Sequence, residues 1–363
     1  MKEKTSVVSV VIGEPSIEKP NGVLRYCHDL DELLARSQHY KHTFLPIKKR
    51  DFFDPFFILP RLYLIKNIIS LRNQPVIILH GPFHLIFLSI IVVCRKVNIG
   101  LMPHGSFHPI ALKKNRIIKK LFLALSKPLF ASFRVKIVGL SKAEIIDSEK
   151  LLSINRTALM FGPVINRKEM MGPQDLNLDV PTQLEILYIG RLDIKTKGLD
   201  TLIETAKLLK NKPIKFQIRG PQSGEGYMWL KEQIIKYNLE KRVELSGSVF
   251  GEKKIELLKN ASLFILLSRN EGIPVSVLEA LSYGCPCIVT RETNVPHFEC
   301  DPSPVVIVER KPVLVAAEII DLLVKSDLLP EMKREALRTY NENFSTSSTL
   351  LRIENQLNLL ALA

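Results

Sequence analysis

The stretch Ser262 to Thr290, SLFILLSRNEGIPVSVLEALSYGCPCIVT, limits the possible folds more than any other part of the chain. Leu263 to Leu267 is an apolar run of strand length, and Ile273-Pro274 marks a helix start. Gly284 ends that helix and Cys285 to Thr290 resumes as a second buried strand. A strand, a helix and a strand in that order belong to a parallel sheet.

Within the unit, Glu271 falls in the loop beyond the carboxyl end of a strand, where open parallel sheets bind ligands, and Glu279 sits on the first turns of the next helix. Val275, Leu278 and Leu281 recur at helical spacing and are expected to face the sheet, which leaves Glu279 on a flank. A carboxylate there accepts hydrogen bonds from vicinal hydroxyls, and the helix N-terminus beside it favours phosphate. That pairing suits a nucleotide-sugar; two solvated surface glutamates are the bland alternative.

The same alternation runs through the chain. Strands are expected at Ser6 to Gly13, Pro75 to His80, Ile99 to Pro103, Arg134 to Gly139, Leu184 to Ile189, Ile214 to Arg219 and Val243 to Leu245, with helices between them. The loose segment Asn166 to Thr182, with Pro173 and Pro181, reads as a linker. It separates a first domain, 1–165, from a second, 183–345, and the helix in 346–363 is expected to pack back toward the first. Gly22 lies near a helix start, where a backbone can approach a phosphate. Asp29 and Asp31 form a D-x-D string, but they sit mid-helix and point in different directions, so no metal site is expected there. Arg191 and Lys197 bracket a glycine turn ahead of a helix, an arrangement that can clamp a diphosphate. His104, in a loop beside Gly105, is a further candidate for contact with a substrate.

Charge is uneven along the chain. Residues 1–165 hold 25 Lys or Arg against 11 Asp or Glu, whereas the remainder holds 26 of each. Pro55 to Ala143 contains 14 basic residues and no acid, which implies an anionic partner, a membrane surface or nucleic acid. From Ile110 to Phe130, apolar Ile110, Ile117, Ile118, Leu121, Leu125 and Leu129 interleave at helical period with Lys113, Lys114, Arg116, Lys119, Lys120 and Lys127. Such a helix suits anionic lipid, and no nucleic-acid signature accompanies it. Val76 to Cys94 is broken by His80, Gly81, Pro82 and His84, so it reads as strand, turn and helix rather than a membrane span. The absence of a signal peptide and five scattered cysteines suggest a cytoplasmic protein with buried, reduced thiols.

Taken together, Gly22 in NGVLRY, PHGSFHP with the basic helix after it, YIGRLDIKTKG, Gly220 in IRGP and EGIPVSVLEALSYGCPCIVT resemble glycosyltransferase family 4, over most of the chain. The resemblance implies an α/β protein of GT-B type, two Rossmann-like domains facing across a cleft. It implies a retaining glycosyltransferase that uses neither metal nor cofactor and takes a nucleotide-diphosphate sugar as donor. The diphosphate would be held by Arg191 and Lys197, with Gly22 and Gly220 also at the donor, the ribose by Glu279, and the transferred sugar by Glu271 and His104. A glycan or lipid-linked acceptor in surface polysaccharide assembly, reached from the cytoplasmic face of a membrane through Lys113, Lys114, Arg116, Lys119 and Lys120, completes the expectation; no nucleic acid is expected. Two departures from the family pattern stand out: TNVPHFE carries no glycine before Glu299, and Gly22 follows Asn21 rather than a second glycine. A nucleotide-sugar epimerase of the same fold, or a non-catalytic protein that binds membrane or nucleic acid, are the alternatives.

Overall fold

The computed structural model describes residues 4–12, 22–47, 76–94, 97–113, 116–133, 135–152, 158–164, 171–272 and 274–361. They form two compact units, Met1–Arg167 with Thr346–Ala363, and Lys168–Ser345.

The first unit contains β1 (Thr5–Ile12), α1 (Gly22–Leu34), β2 (Tyr40–Ile47), β3 (Val76–His80), α2 (Leu85–Val93), β4 (Ile99–Met102), α3 (Pro109–Lys113), α4 (Arg116–Ser132), β5 (Val135–Gly139), α5 (Lys142–Leu152) and β6 (Leu159–Met160). Its strands are parallel, in the order β2-β1-β3-β4-β5-β6. Successive side chains on a strand alternate between faces, and both faces here are covered. Val8, Val10, Ile77 and Leu79 pack with Phe87 and Ile90 of α2 and Phe130 of α4. Val7, Val76 and Ile78 pack on the other face with Leu30 and Leu33 of α1 and with Ile353, Leu357 and Leu360 from the end of the chain.

The second unit contains β7 (Leu184–Ile189), α6 (Leu199–Leu208), β8 (Ile214–Arg219), α7 (Glu225–Lys236), β9 (Val243–Ser246), α8 (Gly251–Asn260), β10 (Leu263–Leu266), α9 (Val275–Ser282), β11 (Cys287–Thr290), β12 (Val305–Val308), α10 (Pro312–Val324) and α11 (Leu329–Asn343). The last helix, α12 (Thr346–Ala361), belongs to the first unit. The second sheet is also parallel, in the order β12-β11-β10-β7-β8-β9. Chain order therefore reverses between β7 and β10, and a doubly wound sheet binds ligands at the carboxyl ends of the strands beside such a reversal.

Most expected strands and helices appear within a residue or two of their predicted bounds. The single helix expected over Ile110 to Phe130 is instead two, α3 and α4. On α4, Phe122, Ser126 and Phe130 are buried, while Ile117, Leu121 and Leu125 face solvent at 84%, 62% and 49% exposure. The phenylalanines fill the core, so the aliphatic stripe is left outside. In α9, Leu278 and Leu281 are buried as expected, together with Val277 and Ala280, and the one correction to the expected set is Val275, which is exposed. Cys27, Cys94, Cys285 and Cys287 are buried free thiols; Cys300 is only half-buried.

Candidate active site

In the second unit the glycines set the backbone and the backbone sets the charges. Gly198 precedes α6 in a left-handed conformation with φ +65°, and a Cβ on it would stand 1.9 Å from the carbonyl oxygen of Leu267. Only glycine permits that approach. It presses the loop after β7 against the end of β10 across the strand reversal, and Arg269 N–H donates to Thr196 O at 2.8 Å in the same seam. The Arg269 guanidinium adds a two-pronged bond to the Asp200 carboxylate, at 2.9 and 2.6 Å, which locks the register of the two loops.

Lys197 and Glu271 consequently meet. Their side chains form an ion pair, each 15% exposed, and Ser268 Oγ donates to the same Glu271 oxygen, Oε1, at 2.7 Å. Glu271 Oε2 is engaged by neither. The loop is held from behind by Asn294, whose side-chain amide donates to Glu271 O at 2.6 Å, and by Glu271 N–H, which donates to Glu292 O at 3.1 Å. Asn294 adopts φ +57° at the end of the short turn Arg291–Thr293, so an asparagine supplies the left-handed corner in the loop that lacks glycine.

Glu279 lies on α9 and pairs with Lys254 of α8 at 2.6 Å, both mostly covered. Arg191 is exposed in the loop after β7. Its carbonyl accepts from the buried Tyr188 hydroxyl at 2.6 Å; burial pushes that phenol far above its ordinary range, so it stays a donor. Gly220, at the end of β8, would place a Cβ 2.6 Å from Gly190 O, and Gly226 in the first turn of α7 would place one 1.7 Å from Leu192 O. The carbonyls of Gly190 and Leu192 are thus packed closely against the backbones of Gly220 and Gly226.

In the first unit, Gly22 opens α1. Asp29 faces Arg25 on the same helix and Asp31 bonds His42, so the D-x-D carboxylates diverge. His104 follows β4 with φ +51°, a conformation a non-glycine residue adopts at a cost of about 1 to 2 kcal/mol. Glu144 secures the turn: its carboxylate accepts Gly105 N–H at 2.5 Å and Leu140 N–H at 2.7 Å. Burial pushes the Glu144 carboxyl up, and those two backbone donors oppose the push. His104 Nε2 lies 2.9 Å from His80 Nδ1, with the rings stacked at 5.2 Å and Tyr26 against both. Burial lowers the His104 pKa to about 3, so the ring is neutral.

Of the basic residues expected to meet a membrane, Arg116 and Lys120 are exposed on α4. Lys119 turns back to donate to Ala111 O at 2.6 Å and lies over the Phe83 ring. Lys113 ends α3; Lys114 lies outside the described residues, as does Pro55 to Pro75 of the acid-free stretch. Among the described residues no helix is long and apolar enough to cross a membrane.

Sequence reasoning brought out Lys197, Glu271 and Glu279 but missed Lys254, Ser268, Asn294 and Gly226. Ser268 was within reach of it, three residues before Glu271 at a strand end. The others act from separate elements and carry no local pattern.

Two doubly wound parallel sheets, the second with a cation and a carboxylate at its strand reversal, define an α/β protein of the GT-B type. Residues 177–343, within the second unit, match the family Glycosyl transferases group 1. The chain is 32% identical over 162 residues to the putative colanic acid biosynthesis glycosyltransferase WcaL of Escherichia coli K12, covering 42% of this chain and 40% of that one. It is 28% identical over 139 residues to a GDP-mannose:cellobiosyl-diphosphopolyprenol alpha-mannosyltransferase of Xanthomonas oryzae, covering 38% of this chain and 37% of that one. The matches thus span about two fifths of these curated relatives. The fold is shared with Anabaena HepE, solved with UDP-glucose, at a TM-score of 0.72 and 13% identity over 98% of this chain and 99% of that one.

Proposed function

We propose that the protein is a retaining glycosyltransferase that moves a sugar from a nucleotide-diphosphate sugar to a lipid-linked glycan acceptor in surface polysaccharide assembly. The observation that carries the reading is the Lys197–Glu271 pair at the strand reversal of the second sheet. A diphosphate placed there takes the Lys197 ammonium and the Arg191 guanidinium, and both oppose the negative charge that grows on the leaving group as the glycosidic bond breaks. Glu271 then turns its carboxylate to the hydroxyls of the sugar, and Glu279 to those of the ribose. Gly220, at the end of β8, admits the phosphates to backbone N–H groups. The names of the relatives support the reading, since one is named for colanic acid biosynthesis and another for mannosyl transfer to a cellobiosyl-diphosphopolyprenol.

The acceptor side of the proposal rests on α4. Ile117, Leu121 and Leu125 form an exposed stripe flanked by Arg116 and Lys120, an arrangement that lies on anionic lipid with its aliphatic side down. Docking on the cytoplasmic face of the membrane brings the enzyme to an acceptor that cannot leave the bilayer. Thermal shift with UDP and with GDP, followed by nucleotide release from UDP-glucose and GDP-mannose, tests the donor side. A ligand at a hundred times its Kd raises stability by about 2.7 kcal/mol. No shift with any nucleoside diphosphate overturns the proposal.

A further inference from the structure

A second set of polar groups lies behind the first sheet's carboxyl edge, and the donor contacts proposed above do not use it. Asp31 Oδ1 lies 2.7 Å from His42 Nδ1; His42 Nε2 lies 2.9 Å from Ser9 Oγ; Ser9 Oγ lies 3.0 Å from His80 Nε2; and His80 Nδ1 lies 2.9 Å from His104 Nε2. Four elements contribute: α1, β2, β1 and β3, ending at the loop after β4. Ser9 and His80 are buried and the His42 side chain is 1% exposed, whereas Asp31 at one end, with its side chain half exposed, and His104 at the other, partly exposed, reach water.

The direction of every bond in the chain follows from its carboxylate end. A carboxylate accepts and does not donate, so His42 carries its proton on Nδ1 and offers a lone pair at Nε2. Ser9 must then donate to His42, and its oxygen accepts from His80 Nε2–H. His80 Nδ1 is left bare and accepts from His104 Nε2–H, which leaves His104 Nδ1 without a proton. Reversing the chain would face a lone pair of His42 toward the Asp31 carboxylate at 2.7 Å, so the two tautomer sets are not equivalent. Burial holds all three rings neutral; for His80 the neighbouring rings of His104 and His42 add to it. The chain therefore carries tautomer information rather than charge. Among the described residues His104 Nδ1 has no hydrogen-bond partner.

We propose that Asp31, His42, Ser9 and His80 are positioning residues that fix His104 in the Nε2–H tautomer, so that its bare Nδ1 accepts a hydrogen bond from a substrate hydroxyl at the first unit. This rests on the transferase reading. The relay gives the left-handed turn at His104 a purpose: the ring is held as an acceptor of one defined polarity, aimed from a backbone that Glu144 clamps. A sugar or polyol hydroxyl meets the ring as donor, whereas a carbonyl or phosphate oxygen finds nothing to bind.

Long-range proton–nitrogen correlation spectra of protein labelled with [15N]histidine read which ring nitrogen is protonated, with the eight histidines assigned by single His→Gln variants. The wild type is expected to show His104 and His80 protonated on Nε2 and His42 on Nδ1. Ser9→Ala cuts the relay in the middle and is expected to move a measurable share of His104 to the Nδ1–H form. Asp31→Ala, at a half-exposed position, is expected to do the same without opening a cavity. Each variant should lower kcat/KM for UDP-glucose turnover by about tenfold while UDP affinity by calorimetry stays within about twofold, and in a His104→Ala background neither should cost anything further. A wild-type His104 protonated on Nδ1, or losses of unchanged size in the His104→Ala background, overturns the proposal. The spectra need no donor, so a wild type that turns over no nucleotide-sugar overturns the transferase reading instead.

Discussion

Lys254 Nζ stands 2.6 Å from Glu279 Oε2, so the carboxylate assigned to the ribose is already oriented by a cation from the neighbouring helix. Glu279→Ala is expected to weaken UDP binding by about one to two decades, since a lost charge-assisted hydrogen bond costs about 1.5 to 3 kcal/mol. Lys254→Ala, which loses the orienting group and not the contact, should cost less than about fivefold. Isothermal titration with UDP decides it; unchanged affinity in Glu279→Ala removes that residue from the nucleotide site.

Lys197→Ala and Arg191→Ala are each expected to lower turnover by roughly a hundredfold, because both cations act on charge that is largest in the transition state. Glu271→Ala should lower turnover and leave UDP affinity nearly intact. Steady-state kinetics on variants with wild-type circular dichroism test both statements; turnover within about threefold of wild type would mean a solvated loop.

Gly198→Ala and Gly226→Ala are expected to destabilise the second unit, because each new methyl meets a backbone carbonyl, at 1.9 and 1.7 Å, that cannot move aside alone. A cost of at least about 2 kcal/mol corresponds to a fall in Tm of roughly 4 to 8 °C for a unit of this size. Gly272→Ala, where a Cβ would meet nothing within 4 Å, is the control and should shift Tm little. Scanning calorimetry separates the two outcomes.

Vesicle co-sedimentation tests the exposed stripe. Binding to vesicles containing phosphatidylserine is expected, and Arg116→Gln with Lys120→Gln should weaken it by about fivefold per charge, since each basic residue near an anionic surface contributes about 1 kcal/mol. Replacing Ile117, Leu121 and Leu125 by Asn should abolish it at high salt, where the charges are screened. Binding indifferent to both sets would remove α4 from the membrane.

The first unit should lose stability in mild acid. His42, His80 and His104 all have folded-state pKa values below that of a free histidine, His104 at about 3. Below about pH 6.5 the unfolded chain takes up protons that the folded chain refuses, so stability present at neutral pH is lost as pH falls from 6.5 toward 3, by about 1.4 kcal/mol per pH unit for each ring that stays neutral. Thermal unfolding between pH 7 and 5 should show the slope, and His104→Gln should flatten it. A wild-type Tm constant over that interval contradicts the buried neutral rings.

The parallel architecture and the Lys197–Glu271 site were legible because both depend on local signals: short apolar runs, glycine turns and charged residues just past strand ends. β2, β6 and β12 were not legible. β2 lies at the sheet edge, and its sequence YKHTFLPI mixes charge, histidine and proline in a way that apolar periodicity does not flag. Missing β2 hid His42, and with it the links to Asp31 and Ser9. On α4 the sequence shows an aliphatic stripe and a basic one, but nothing local says that Phe122 and Phe130 are the residues that fill the core. Periodicity locates a stripe; the volumes available beneath the helix decide which stripe is buried.

The return of α12 to the first unit sets the order in which the polypeptide can finish folding. Residues 168–345 are one uninterrupted segment, and every strand of their sheet has emerged before Thr346 is synthesised. The first unit, although it is made first, lacks Ile353, Leu357 and Leu360 against β3 and α1 until the end of translation. Domains usually mature on the ribosome from the amino end. Here the later half is able to close first, and the nascent earlier half waits with one side of its sheet covered by α1 alone, a stage at which chaperone binding or a ribosomal stall past residue 345 would have its largest effect.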